Sequence, residues 1–312
     1  MKLFDLHCDT LYEALNKNKS MVHNDLHISL RRGNKYETWA QCFAIWIPDD
    51  VRGEGALTLF KRAYSKLVEE SLCGEKMKIC NSEEDLQSAV EENKCAAIFT
   101  VEGGAVVGGD IQNLDYLKRS GVRMITVTWN GKCEFGDGAG VENPAGITSF
   151  GKIAVKKMND LDIIIDVSHA SDPLFYDIAQ LTRKPIVASH SNSRTVCGHK
   201  RNLTDEQFKI IKSQGGLVGI NFSRDFLNKK KEASMYDIIR HAEYFLGLGG
   251  EDTVCLGSDF DGTDIPEDMT GIESMEQLYN LFLRQNYSQS LVNNIFFNNA
   301  YKFFMGGYKK VI

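Results

Sequence analysis

His7 and Asp9 stand two residues apart where a strand-like apolar run, Leu3–His7, gives out. On an extended chain both side chains leave from the same face, so both can reach one cation. Glu102 follows the apolar run Ala96–Val101 and precedes Gly103-Gly104. His169 and His190 follow the runs Ile163–Val167 and Ile186–Ser189, and Asp259, with Asp261 two residues on, follows Val254–Gly257. The chain has only seven histidines, and three of them fall at the ends of such runs, which a random scatter of polar residues would not produce. Imidazoles and carboxylates without thiolates suit a divalent ion such as zinc, held with positions left open for a reactant. His7 and Asp9 can serve one ion, His169 and His190 a second, and the two oxygens of Glu102 can bridge them. A lone His-x-Asp would read as a hydrogen-bonded structural pair. Five ligand-type residues at four run ends read as a metal centre. Two bridged ions lower the pKa of a shared water towards neutrality, so the chemistry expected is hydrolysis by a metal-bridging hydroxide.

Such a centre needs elements that bring distant run ends together. The remaining runs are Gln41–Ile47, Met124–Thr128 and Leu217–Asn221, eight in all. Most lack clean polar alternation, the mark of strands buried on both faces in a parallel sheet. Helical patterns lie between many of them: 56–72, 83–92, 113–120, 150–161, 204–213 and 234–246, with two more at 274–284 and 288–304. Thr204-x-x-Gln207 is a capping-box signature. Eightfold strand–helix alternation without a linker predicts one (β/α)8 barrel domain over residues 1–312, with its site on the loops that follow the strands. An open doubly wound sheet would need a glycine-rich phosphate turn after its first strand, and His7-Cys8-Asp9-Thr10 has none.

Composition excludes other classes. Hydrophobic residues at 43% and charged residues at 25% describe a globular chain. A net charge of −6 argues against a nucleic-acid partner, and Lys229–Lys231 reads as a solvated loop. No apolar stretch approaches the roughly 18 residues of a membrane span. Asp5 and Asp9 interrupt the only N-terminal candidate for a secretory signal, so a cytoplasmic location is expected, with the eight cysteines reduced.

In this order the motifs resemble the membrane (renal-type) dipeptidase family, the zinc dipeptidases of peptidase family M19. The resemblance rests on Asp5-Leu6-His7-Cys8-Asp9, Val101-Glu102-Gly103-Gly104 and Ile165-Asp166-Val167-Ser168-His169. It continues through Ser189-His190-Ser191, Arg201-Asn202 and Gly257-Ser258-Asp259-Phe260-Asp261-Gly262. It implies a (β/α)8 barrel and two zinc ions, one on His7, Asp9 and Glu102, the other on Glu102, His169 and His190. It implies Asp259 as the proton carrier and Arg201, rather than Arg194 in the same basic loop, as the grip on a substrate carboxylate. The implied activity is hydrolysis of free dipeptides, tolerant of a D-residue at the C-terminal position, by a homodimer. Asp261 is expected to turn away from the site, as a structural residue. Two departures stand out. Trp129 occupies a position where many relatives carry a substrate-binding histidine; it and Asn130 remain candidates to contact the substrate or its oxyanion. The tail Gly306–Ile312, with two lysines, does not read as the lipid-anchor signal of animal members. The alternatives are a metal-dependent amide hydrolase for N-acyl amino acids or lactams, and a metal-binding barrel without turnover; Asp259 and Arg201 argue against the latter.

Overall fold

The computed structural model describes residues 1–73, 76–230 and 232–307, without the Cys73 side chain; Lys231 of the basic run and the end of the C-terminal tail lie outside the described residues. Among the described residues there are nine strands: β1 Lys2–Cys8, β2 Thr38–Trp46, β3 Met77–Ile79, β4 Cys95–Glu102, β5 Met124–Thr126, β6 Ile164–Asp166, β7 Val187–Ala188, β8 Leu217–Ile220 and β9 Val254–Leu256. All pairings are parallel. β1 pairs with β9 and β2, and β2 pairs directly with β4 along its whole length, so eight strands close into a (β/α)8 barrel. The ninth, β3, pairs with Cys95–Ala97 of β4, while β5 pairs with Thr100–Glu102. β3 therefore occupies the lower part of the edge that β5 takes higher up.

The strands form because their apolar residues bury on both faces. In β4 every residue is buried. Phe99 stacks on Phe60 and Tyr64 of the helix Glu54–Cys73. Alternation then turns Ile98, Thr100 and Glu102 to the opposite face, the barrel interior. The helices start on sequence-encoded caps. Thr204 accepts from Gln207 N at 3.2 Å while Gln207 accepts from Thr204 N at 2.9 Å, the capping box expected there. Such a cap stabilises a helix by roughly 1 kcal/mol. The expected C-terminal helix 288–304 is interrupted by a π-helical turn at Asn294–Asn298. That stretch and the following turn bring Phe297, Phe303 and Phe304 against Phe4 and Leu6.

Several expected strands are shorter than the runs that announced them. The runs ending at Thr128, Val167 and Ser189 pair only as far as Thr126, Asp166 and Ala188. Apolar character continues past the last ladder bond because these residues remain buried as they turn into the loops. Among the described residues no helix is long and apolar enough to cross a membrane.

Candidate metal centre and substrate cleft

The candidate residues meet at the C-terminal edge of the barrel. Glu102 closes β4, and His190, His169 and Asp259 stand two or three residues past β7, β6 and β9. Asp9 lies one residue beyond β1, at the N-cap of the helix Thr10–Asn16, with backbone outside the extended region. It reaches His7 through this turn and not through the strand alternation that the spacing suggested. Two backbone bonds lace the segments together, Asp9 N to Phe260 O at 2.8 Å and Asp259 N to His7 O at 3.1 Å.

The loop after β9 corrects the expectation for Asp261. Asp259 and Asp261 both have positive φ, 60° and 68°, so the chain there is not extended. Asp261 also borders the cleft. Its carboxylate accepts from His27 N at 2.7 Å and from the Thr10 hydroxyl. Gly262 follows, where a Cβ would run into the carboxylates of Asp9 and Asp259.

The side chains form one buried cluster. Glu102 Oε1 is 2.7 Å from His169 Nε2 and 3.4 Å from His190 Nε2, while its Oε2 is 3.8 Å from His7 Nε2. His7 Nε2 is 3.3 Å from Asp9 Oδ2 and 3.9 Å from Asp259 Oδ1. The two oxygens of Glu102 are thus divided between two groups of ligand-type residues. Behind the rings, outer partners set the tautomers. Ser189 Oγ donates to Asp166 Oδ2 at 2.6 Å and stands 2.8 Å from His190 Nδ1. Its one hydrogen is spent, so it accepts from His190 Nδ1–H and leaves Nε2 with a lone pair. His169 Nδ1 is paired in the same way with Asn130 Oδ1 at 3.1 Å.

The three rings of the cluster differ in their electrostatics. Burial, with the charges of Arg201 and His7, holds His169 well below its ordinary pKa, and burial beside His7 does the same for His190. Both rings are neutral. Burial also opposes charge on His7, but Glu102, Asp9 and Asp259 outweigh it and raise its pKa to about 10. Asp259 is pushed up to about 8, by burial first and then by Asp9 and Glu102 against the pull of His7. Two lone-pair nitrogens, His169 Nε2 and His190 Nε2, face each other at 2.9 Å, and Asp9 Oδ1 is buried without a hydrogen-bond partner. Donors converging without hydrogens between them fit divalent cations.

Beside the cluster opens a cleft of about 230 Å³, bordered by Tyr12, Trp46, Trp129, Asn130, Phe226 and Thr263. This is below the roughly 300–1,000 Å³ of drug-sized sites and suits a small ligand. Trp46 packs edge-on between Tyr12 and Trp129, with ring centroids at 5.0 and 4.8 Å. Trp129 lies 6.3 Å from the His169 ring, while the carbonyl oxygen of Asn130 is spent on His169. Arg201 is 5% exposed, and none of its three guanidinium nitrogens has a hydrogen-bond partner. Its guanidinium sits 5.4 Å from the centre of the Phe226 ring. Burial lowers its pKa to about 10 against the attraction of Glu102, Asp259 and Asp166. Arg194 is differently placed, held by Asp172 through two bonds of 2.8 Å.

Two contributors, Asn221 and Phe226, escaped the sequence reading, and a third, Asp166, entered it only as part of a motif. Asn221 donates to Asp259 Oδ2 at 2.9 Å, Asp166 anchors Ser168 and Ser189, and Phe226 underlies Arg201. Asn221 stood at the end of an expected strand, a signal that could have marked it; Phe226 carried none.

Comparison with known proteins places the chain in context. Residues 1–306 match the family profile described as membrane dipeptidase, peptidase family M19. The chain is 32% identical over 234 residues to an uncharacterized Klebsiella pneumoniae protein of the pqqA 5′ region, covering 72% of this chain and 86% of that one. It is similar to the crystal structure of dipeptidase AC, a metallopeptidase of family M19, with TM-score 0.91, 26% identity and coverage of 97% and 98% of the two chains. A metallopeptidase from Rhodobacter sphaeroides, solved with a phosphinate mimic of the dipeptide L-Ala-D-Ala, also superposes at TM-score 0.91, with 25% identity over 99% of each chain.

Proposed function

Because the chain belongs to peptidase family M19, the membrane dipeptidases, and is a metallo-dipeptidase, we propose that it hydrolyses free dipeptides recognised through their C-terminal carboxylate, a D-residue at that end included. The observation that carries this reading is Arg201, a buried guanidinium beside the cluster with all three nitrogens unpaired. A buried charge without a partner is costly, and a carboxylate is the planar acceptor that its fork fits. The Rhodobacter sphaeroides protein bound to the L-Ala-D-Ala mimic supports the D-residue.

His7, Asp9 and Glu102 would hold one divalent ion, and Glu102, His169 and His190 the other; the nitrogen and oxygen donors favour zinc. Bound there, such ions supply a water of lowered pKa and polarise the scissile carbonyl. The protein's own groups do the rest. Arg201 fixes the substrate's end, and Trp129 with the Asn130 amide borders the reacting bond. Asp259, held through Oδ2 by Asn221, has a carboxyl that can carry a proton near neutral pH. It takes the proton of the attacking water and hands it to the leaving amine.

The test is a substrate panel: dipeptides with L- and D-residues at the C-terminal position, their C-terminal amides, and N-acyl amino acids. Dipeptides of both configurations are expected to be cleaved and the amides poorly. Equal turnover of amides and free dipeptides would reject the carboxylate reading, and preferential cleavage of N-acyl amino acids would favour the alternative amide hydrolase.

A further inference from the structure

His241 takes no part in the chemistry above. It lies on the helix Met235–Gly247 and is wholly buried. Its ring is bonded at both ends. Nδ1 accepts from Ser193 N at 3.0 Å, which leaves the ring proton on Nε2, and Nε2 donates to Leu227 O at 2.9 Å. The two segments joined in this way are the ones that build the Arg201 site. Ser193 opens a loop that returns on itself at Leu203, through Arg194 N to Leu203 O and Leu203 N to Asn192 O, both 2.8 Å. Arg201 belongs to that loop. Leu227 follows Phe226, whose ring lies under the guanidinium. Asn202 stitches the same two segments from the other side, donating to Cys197 O at 2.8 Å and Phe226 O at 2.9 Å.

We infer that His241 is a positioning residue for carboxylate recognition: its imidazole sets the Arg201 loop against Phe226. The Arg201 guanidinium has no hydrogen bond, so its aim depends on the two segments that carry it and its aromatic floor. The gap between them is lined by a backbone N–H on one side and a backbone carbonyl on the other. Only a neutral imidazole offers an acceptor and a donor at opposite ends of one rigid ring. An apolar side chain would leave Ser193 N–H buried and unpaired and Leu227 O with only the long 3.4 Å bond from Arg240 Nη2, and the segments would shift to reach other partners.

This inference rests on the reading that Arg201 grips the substrate carboxylate, and a double-mutant cycle separates the two. The metal-loaded full chain is assayed with one dipeptide and its C-terminal amide, for wild type, Arg201→Ala, His241→Leu and the double variant. His241→Leu is expected to raise KM for the dipeptide about tenfold with kcat changed less than about twofold, and to leave KM for the amide in place. In the Arg201→Ala background it is expected to have no further effect, because the group it positions is gone. His241→Gln, which keeps a donor for Leu227, is expected to fall between wild type and His241→Leu. If His241→Leu does not fold, His241→Asn, which keeps an acceptor for Ser193, carries the same comparison. A general loosening of the fold would move both substrates alike, and that result, or full additivity with Arg201→Ala, overturns the inference. If Arg201→Ala discriminates between dipeptide and amide while the His241 variants do not, the inference alone fails. If Arg201→Ala does not discriminate, the clamp fails and the inference with it.

Discussion

Ser189 and His190 are neighbours in sequence whose side chains are also joined, Oγ to Nδ1 at 2.8 Å, with the serine hydrogen committed to Asp166. Asp166 thus acts on the cluster through a serine. Removing the link in Ser189→Ala frees the ring to rotate and to change tautomer. Outer partners of this kind change metal affinity by about 10–100-fold. Chelator competition on Ser189→Ala should show a loss in that range with secondary structure retained. Wild-type affinity would show that His190 needs no such support.

Glu102 offers one oxygen to His169 and His190 and the other towards His7. Glu102→Gln keeps the shape but replaces one acceptor oxygen by a donor and removes the charge. Metal content after equilibration and dialysis should fall below that of the wild type, proposed to be two ions per chain, and activity with it. Full occupancy and full turnover would remove the bridging role.

Asp259→Asn keeps the size of the side chain while removing its capacity to carry a proton. General acid–base contributions are roughly 10²–10⁴-fold, so kcat should fall by about that range with metal content unchanged. Loss of metal instead would mean that Asp259 acts through the ions and that another group moves the proton.

Arg201→Ala should cost about 1.5–3 kcal/mol in kcat/KM with dipeptides, the scale of a hydrogen bond to a charged group. Arg201→Lys should recover only part, because a point charge cannot make the planar two-bond contact. Full recovery by lysine would show that only charge is read there.

His241 gives a stability prediction independent of substrate. Burial lowers its pKa to about 4 from an ordinary 6.5. Between these values the unfolded chain binds a proton that the folded chain refuses, so stability falls as the pH drops. The effect is absent above about 6.5 and complete below about 4, and amounts to roughly 3 kcal/mol. Urea denaturation of metal-free wild type and His241→Gln at pH 7, 5.5 and 4 isolates it: the wild type should lose stability more steeply. Parallel curves would show that the ring is protonated without cost.

The barrel was legible because its strands are buried on both faces, which makes short apolar runs stand out; eight of the nine strands were readable in this way. β3 was not. It has three residues, with Lys78 in the middle, and pairs with only part of β4. The helix Asp172–Leu181 was also missed, although Ser171 caps it and Pro173 sits in its first turn, both readable signals. In the site, residues of charged and imidazole type were readable because such types are rare at the ends of apolar runs. Asn221, Ser189 and Phe226 are ordinary residues whose meaning lies in partners elsewhere in the fold. Whether Arg194 or Arg201 was free depended on Asp172, a contact 22 residues away for Arg194 that spacing cannot reveal.

Gly262 contributes no charge, no proton and no ligand atom, yet the carboxylates of Asp9 and Asp259 occupy the space that its missing side chain leaves. In a saturation library selected for growth or turnover, this position should be as intolerant as the histidines, with even alanine depleted. A phenotype map would then rank a residue without functional groups among the chemically essential ones. Read by position alone, such a map would overcount the reactive groups of this enzyme, because the space its carboxylates need is encoded as an absence.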